Sequence, residues 1–279
     1  MDELNERIKR RNDEKDTAVK NFILKQREKS KFSFKDLSVW ERLVLGALLC
    51  YGTDETKCVP YTGVGFHFNL SSSYEETESI MQYLIEKGYI VLSEINTKDN
   101  FLVDVENNEV IIDTEYGRLR YYDIWIDKIT KFKLKTGYLA CGNKEIEQLA
   151  KDIKVNVSVN YALTLLAQYD INVTLIEELV SIITSFSEKF SLMETLGAIR
   201  QVANEHISDL NELNRVEPKT AGDKFAQYLT EYYAWLNSSA VRPLPAPYKD
   251  YNFSFIFKYF YFKVLEEDEA AFFASPKGS

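Results

Sequence analysis

Two histidines, three cysteines and six prolines in 279 residues leave little material for several kinds of chemistry. Imidazoles at His67 and His206 only, and no Cys-x-x-Cys spacing among Cys50, Cys58 and Cys141, argue against a structural zinc site, so no metal is expected. No cofactor is expected either. Gly63-Val64-Gly65 lacks the later glycine and the preceding strand of a dinucleotide fingerprint. The odd cysteine count points to unpaired thiols in a reduced, cytoplasmic protein. No apolar run reaches the ~18 residues that read as a membrane span, and the opening MDELNERIKRRNDEKD is charged throughout, unlike a signal peptide. A membrane is therefore not an expected partner. Glycine is scarce too, at 11, against 17 Phe and 18 Tyr, which points to filled cores with little loop punctuation. With 45% apolar and 28% charged residues, the composition is that of one large or two smaller folded domains rather than of a disordered chain.

Charge of one sign is missing from most of the chain. Residues 1–31 carry ten basic against seven acidic side chains, residues 32–135 eleven against seventeen, and residues 136–279 thirteen against nineteen. Only the first segment would attract a phosphate backbone, through residues such as Arg7, Lys9, Arg10 and Arg11. It reads as a charged leader helix with an interrupted stripe of Leu4, Ile8, Val19, Phe22 and Ile23, docking at its far end.

Ser38-Val39-Trp40-Glu41 and Ser73-Tyr74-Glu75-Glu76 have the form of capping boxes, each opening a helix. Between those helices, residues 51–71 read as a long connection with a short extended piece at Val64–Phe68. The second helix stops at Lys87-Gly88. After it, Tyr89–Ile95 has strand composition, Phe101–Val105 is placed to return antiparallel across the polar NTKDN turn, and Val110–Thr114 to add a third strand. Helix, connection, helix ending in Leu84-Ile85-Glu86-Lys87-Gly88-Tyr89-Ile90, then a hairpin resembles the winged helix-turn-helix superfamily over residues 37–114. The connection at 51–71 departs from it, because the family has another helix there. The resemblance implies nucleic-acid or protein contact through the second helix. That helix carries Glu75, Glu76, Glu78 and Glu86 against Lys87 alone, which disfavours DNA and favours a protein. Further on, Lys131, Lys133 and Lys135 alternate as on one side of a strand, either a solvated edge or a second phosphate contact.

From Asn143 the pattern is helical. Segments 143–153, 157–169, 174–190, 191–214 and 220–236 are expected helices, those at Thr174 and Ser191 opened by further capping boxes. Within the fourth, Arg200 followed by His206 is similar to the motif of HEPN-family ribonucleases, which implies metal-free RNA cleavage with His206 as acid/base and Arg200 neutralising phosphate. Helical geometry opposes it: six residues at ~100° each leave the two side chains ~120° apart, and His206 falls in the seam Leu192, Leu196, Ile199, Ala203, Leu210, Leu213.

The segment YNFSFIFKYFYF, 251–262, alternates Tyr251, Phe253, Phe255, Phe257, Tyr259 and Tyr261 as a strand would, although its last turn also suits a helix. These rings close a core or, as Phe253, Phe255, Phe257, Tyr259 and Tyr261, offer a partner surface. The expected fold is mainly α with a small β component. It comprises a leader helix (1–31), a winged-helix-like α+β domain (32–135) and an α-helical bundle domain with the aromatic segment (136–279). The expected function is a non-catalytic interaction or regulatory protein that contacts a protein partner or itself, with nucleic acid as a further partner. The HEPN-like ribonuclease and a DNA-binding replication or transcription factor are the alternatives.

Overall fold

A computed structural model of the chain describes residues 2–28, 31–63, 68–107, 109–112, 117–171, 173, 177–239, 241–246 and 252–273. The protein is mainly helical with a small β component, and it divides into two units. One unites residues 1–140 with 254–266; the other holds 141–253 and 267–279. The leader helix thus belongs to the first unit, and so does most of the aromatic segment, which the sequence had placed with the C-terminal helices.

In the first unit, α1 (Asp2–Arg27) is charged over most of its length and buries only Val19 and Ile23. Helix α2 (Val39–Ala47) starts as expected: the Ser38 hydroxyl accepts from the Glu41 amide at 3.2 Å, and the Glu41 carboxylate accepts from the Ser38 amide at 2.6 Å. It continues into a π-helical turn, Leu48–Gly52. Strand β1 (Val59–Tyr61) follows, earlier than the extended piece expected at Val64–Phe68, of which 64–67 lie outside the described residues. Helix α3 (Tyr74–Lys87) is capped by Ser73, and Gly88 ends it at φ 72°, a left-handed conformation that glycine adopts without penalty.

The strand pairing differs from the expected hairpin. Strand β2 (Ile90–Leu92) does not pair with β3 (Leu102–Asp104); β3 pairs with β4 (Glu109–Ile111), while β2 pairs antiparallel with β5 (Arg120–Ile124). Residues 113 and 114, the end of the expected third strand, lie outside the described residues. Asn96 explains the choice. Its amide group donates to the carbonyls of Ser93 and Tyr121, both at 2.7 Å, and accepts from the Tyr121 amide at 2.9 Å, tying the end of β2 to β5. The main sheet has the order β1-β5-β2, with Val59 and Leu92 both opposite Tyr122. Along β5, Arg120, Tyr122 and Ile124 turn inward, the period-2 pattern of a half-covered strand. Helix α4 (Lys128–Lys135) closes this stretch.

The second unit packs four helices together: α5 (Asn143–Ala167), α6 (Glu177–Lys189), α7 (Leu192–Val216) and α8 (Pro218–Ser239). Helix α5 is continuous where two helices were expected. It contains no Gly or Pro, and its middle, Val157–Val159, is buried against α6 and α7, so packing outweighs the low propensity of the β-branched run. The opening residues 174–176 of the third expected helix lie outside the described residues. After α8, Arg242 grips Glu194 with two bonds of 2.5 and 2.7 Å, and the Ala246 amide donates to the Met193 carbonyl. The Leu244 carbonyl lies against Gly197, where a β-carbon would collide with it.

Candidate functional site

The aromatic segment is a core element. Tyr251 lies outside the described residues; Ser254 caps a helical turn, α9 (Phe255–Tyr259), which runs into a second π-helical turn, Phe260–Val264. It is therefore not a strand. Its strict alternation is incidental, because in a turn crowded with rings both faces are covered. Phe253, Phe257, Tyr259 and Tyr261 are buried, and Phe255 is half-buried between Tyr51 and Phe68. These five residues are thus withdrawn from any exposed partner surface. Tyr259 is seated deepest. Its ring fills the space above Gly46, its hydroxyl donates to the Leu134 carbonyl at 2.7 Å, and burial pushes its pKa well up.

Arg200 and His206 stand on α7, which is unbroken between them, so the ~120° separation persists. The His206 ring lies flat on Tyr228 of α8, centroids 3.7 Å apart and planes 9° apart. The Tyr228 hydroxyl reaches Asp209 at 3.3 Å. Gln201, beside the arginine, accepts from Tyr232 and donates to Glu205. The imidazole is a packing surface between two helices, and the geometry does not bring the pair to one reacting atom.

Arg7, Lys9, Arg10 and Arg11 are exposed on the first turns of α1, interleaved with acids such as Glu14, which pairs with Arg10 at 3.7 Å. The far end of the helix is docked. Phe22 meets Phe101 edge-on, and Arg27 bridges Asp123 and Glu94, both at 3.1 Å, under the Trp125 ring. Between α1 and the β3–β4 hairpin lies a cleft of about 390 Å³ lined by Lys15, Lys98, Arg118, Asp99, Asp104 and Phe101. Its cations are offset by acids. Lys98 pairs with Asp16, so the cleft offers no concentrated positive field.

Lys131, Lys133 and Lys135 belong to α4 rather than to a strand, and the helix splits them. Asp127 is the reason for the helix: its carboxylate accepts from the Ile129 and Thr130 amides at 2.8 and 2.9 Å and from the Thr130 hydroxyl. Lys133 turns toward the rings of Phe34 and Tyr138. Lys131 is half-buried, and desolvation lowers its pKa while Asp123 partly restores it. Lys135 is exposed and shares a face with Lys128, Ile129 and Phe132, opposite the buried Thr130 and Leu134. Ile129 and Phe132 are 68% and 70% exposed, far more than large apolar side chains in a packed domain need be. Sequence reasoning missed this pair because K-F-K-L-K imitates a strand; the Asp127-x-x-Thr130 punctuation was the available signal.

Helix α3 shows water Glu75, Glu76, Glu78 and Glu86 beside Lys87. Among the described residues no three His, Cys, Asp or Glu side chains form a metal-binding group, and no helix is long and apolar enough to cross a membrane. The chain matches no family model, no curated protein and no solved structure.

Proposed function

We propose that the protein is a non-catalytic, cytoplasmic interaction module whose first unit is a winged-helix-like scaffold that contacts a protein partner. The scaffold reading is supported by the order β1-β5-β2, by α3 leading directly into β2, and by the β3–β4 hairpin inserted between β2 and β5 where a wing would stand. The helical second unit is then the bundle domain that follows it. The observation that carries the partner reading is the exposed pair Ile129 and Phe132 on α4. Burying two such side chains contributes roughly 1.5–3 kcal/mol each, the scale on which a protein interface is built. The acidic exposed face of α3 opposes the groove contact of a DNA reader, whose affinity rests on phosphate neutralisation. The ring stack at His206 favours a packing role over ribonuclease chemistry.

A native gel of the purified protein with labelled duplex DNA and labelled single-stranded RNA at low salt tests this reading. Unmoved, intact bands are expected. A shifted duplex that is released on deleting residues 1–31 would replace the reading with DNA binding, and degraded RNA would replace it with catalysis by Arg200 and His206.

A further inference from the structure

The partner can be named from the chain itself, on the reading that α4 is a protein-contact face. We propose that the α4 face of one copy receives the acidic, aromatic segment 266–272 of a second copy. Helix α4 carries four lysines and no acid, alone among the described helices. At ~100° per residue, Lys128, Ile129, Phe132 and Lys135 fall within an arc of ~120°, so two ammonium groups flank two large exposed apolar side chains. A ligand for such a face needs carboxylates beside an apolar anchor.

Glu266-Glu267-Asp268-Glu269-Ala270-Ala271-Phe272 has that composition, and residues 266–271 are exposed. Its local structure sorts the two kinds of group. The Asp268 carboxylate accepts from the Ala271 amide at 2.7 Å and its carbonyl from the Phe272 amide at 2.8 Å, which starts a short helical turn. The acids lie at the beginning of that turn and the aromatic at its end. Each chain holds one basic face and one acidic segment, so two copies carry the complementary halves of two equal contacts, and a twofold dimer is the smallest assembly that satisfies both.

Analytical ultracentrifugation of the full chain at low salt tests the proposal, with circular dichroism confirming that each variant is folded. A concentration-dependent dimer is expected, weakened by about 0.5 M NaCl, because exposed charge pairs are screened at that ionic strength. Phe132→Ser should weaken it roughly tenfold or more, as expected from losing one buried aromatic side chain. The decisive arm is a charge exchange. A Lys128→Glu, Lys135→Glu variant and a Glu267→Lys, Glu269→Lys variant should each be monomeric alone and associate when mixed. A monomer at all concentrations, or a dimer indifferent to Phe132→Ser and to the exchange, overturns the proposal. So would vesicles of anionic lipid that bind the wild type through Lys128 and Lys135 while the chain stays monomeric. A monomer that also leaves nucleic acid unmoved removes self-association only; a shifted or degraded nucleic acid removes the protein-contact reading beneath it.

Discussion

The Tyr259 ring occupies the space that a side chain at Gly46 would need, and its hydroxyl closes on the Leu134 carbonyl. One phenol therefore joins α2, α4 and α9. Gly46→Ala should destabilise the protein by about 1–3 kcal/mol through overpacking against a ring that is enclosed on all sides. Tyr259→Phe keeps the ring and removes one of two bonds to the Leu134 carbonyl, which still accepts from the Gly137 amide, at a cost of about 0.5–1.5 kcal/mol. Urea midpoints of the two variants check both figures, and a slope equal to the wild type's would show that the change lies in stability rather than in the extent of unfolding.

His206→Ala removes a stacked ring between α7 and α8. The expected loss is about 0.5–1.5 kcal/mol of stability beyond the area exposed, the range for aromatic pairs. A fluorescent RNA substrate should be equally stable with wild type, His206→Ala and Arg200→Ala. A cleavage rate abolished by either change would contradict the packing role.

Two substitutions, one at the N-cap of α4 and one on its solvent face, should behave oppositely. Asp127→Ala strips the cap from three donors and should cost about 1 kcal/mol. Phe132→Ser, on the solvent face, should leave the thermal midpoint of the monomer nearly unchanged, as surface changes stay within roughly 0.5 kcal/mol.

Glu194 gives a pH signature. Bonds from the Arg242 guanidinium and from Ser191 outweigh desolvation and hold its carboxyl at about 2, against 4.5 for an ordinary glutamate. The folded state therefore takes up this proton less readily than the unfolded one. The stabilisation is complete above pH 4.5 and is lost progressively as the pH falls from there toward 2. Wild type minus Glu194→Gln stability, measured by thermal unfolding at several pH values, should be largest near neutrality and shrink across that window. A difference constant from pH 7 to pH 2 would refute the assignment.

Elements with short-range punctuation were legible in the sequence. Ser38 and Ser191 form the reciprocal caps their spacing implies; at Ser73 the hydroxyl caps as expected, but the Glu76 carboxylate turns to the Ser71 hydroxyl instead. What escaped depends on distant partners. The pairing of β2 is decided by Asn96 reaching Tyr121, twenty-five positions away, and no local pattern encodes that. The aromatic run alternates like a strand because rings suit either structure when every side is covered, and only its seat on Gly46 fixes it as helical. Of the candidate site residues, the leader arginines and lysines are exposed as their charge implies. The three-lysine strip is divided by the helix, and Ile129 and Phe132 become visible only once the buried side of α4 is known.

The return of residues 254–266 to the first unit has a consequence for synthesis. At Gly137, with φ 78°, a β-carbon would meet the Lys263 carbonyl, so this later piece is fitted against one made more than a hundred residues earlier. While it is being translated, the first unit is a nascent body with an open hole where Phe257, Tyr259 and Phe260 belong. The four long helices, contiguous in the chain, have no such wait. A ribosome stalled within them would release a product whose earlier half is the unfinished one.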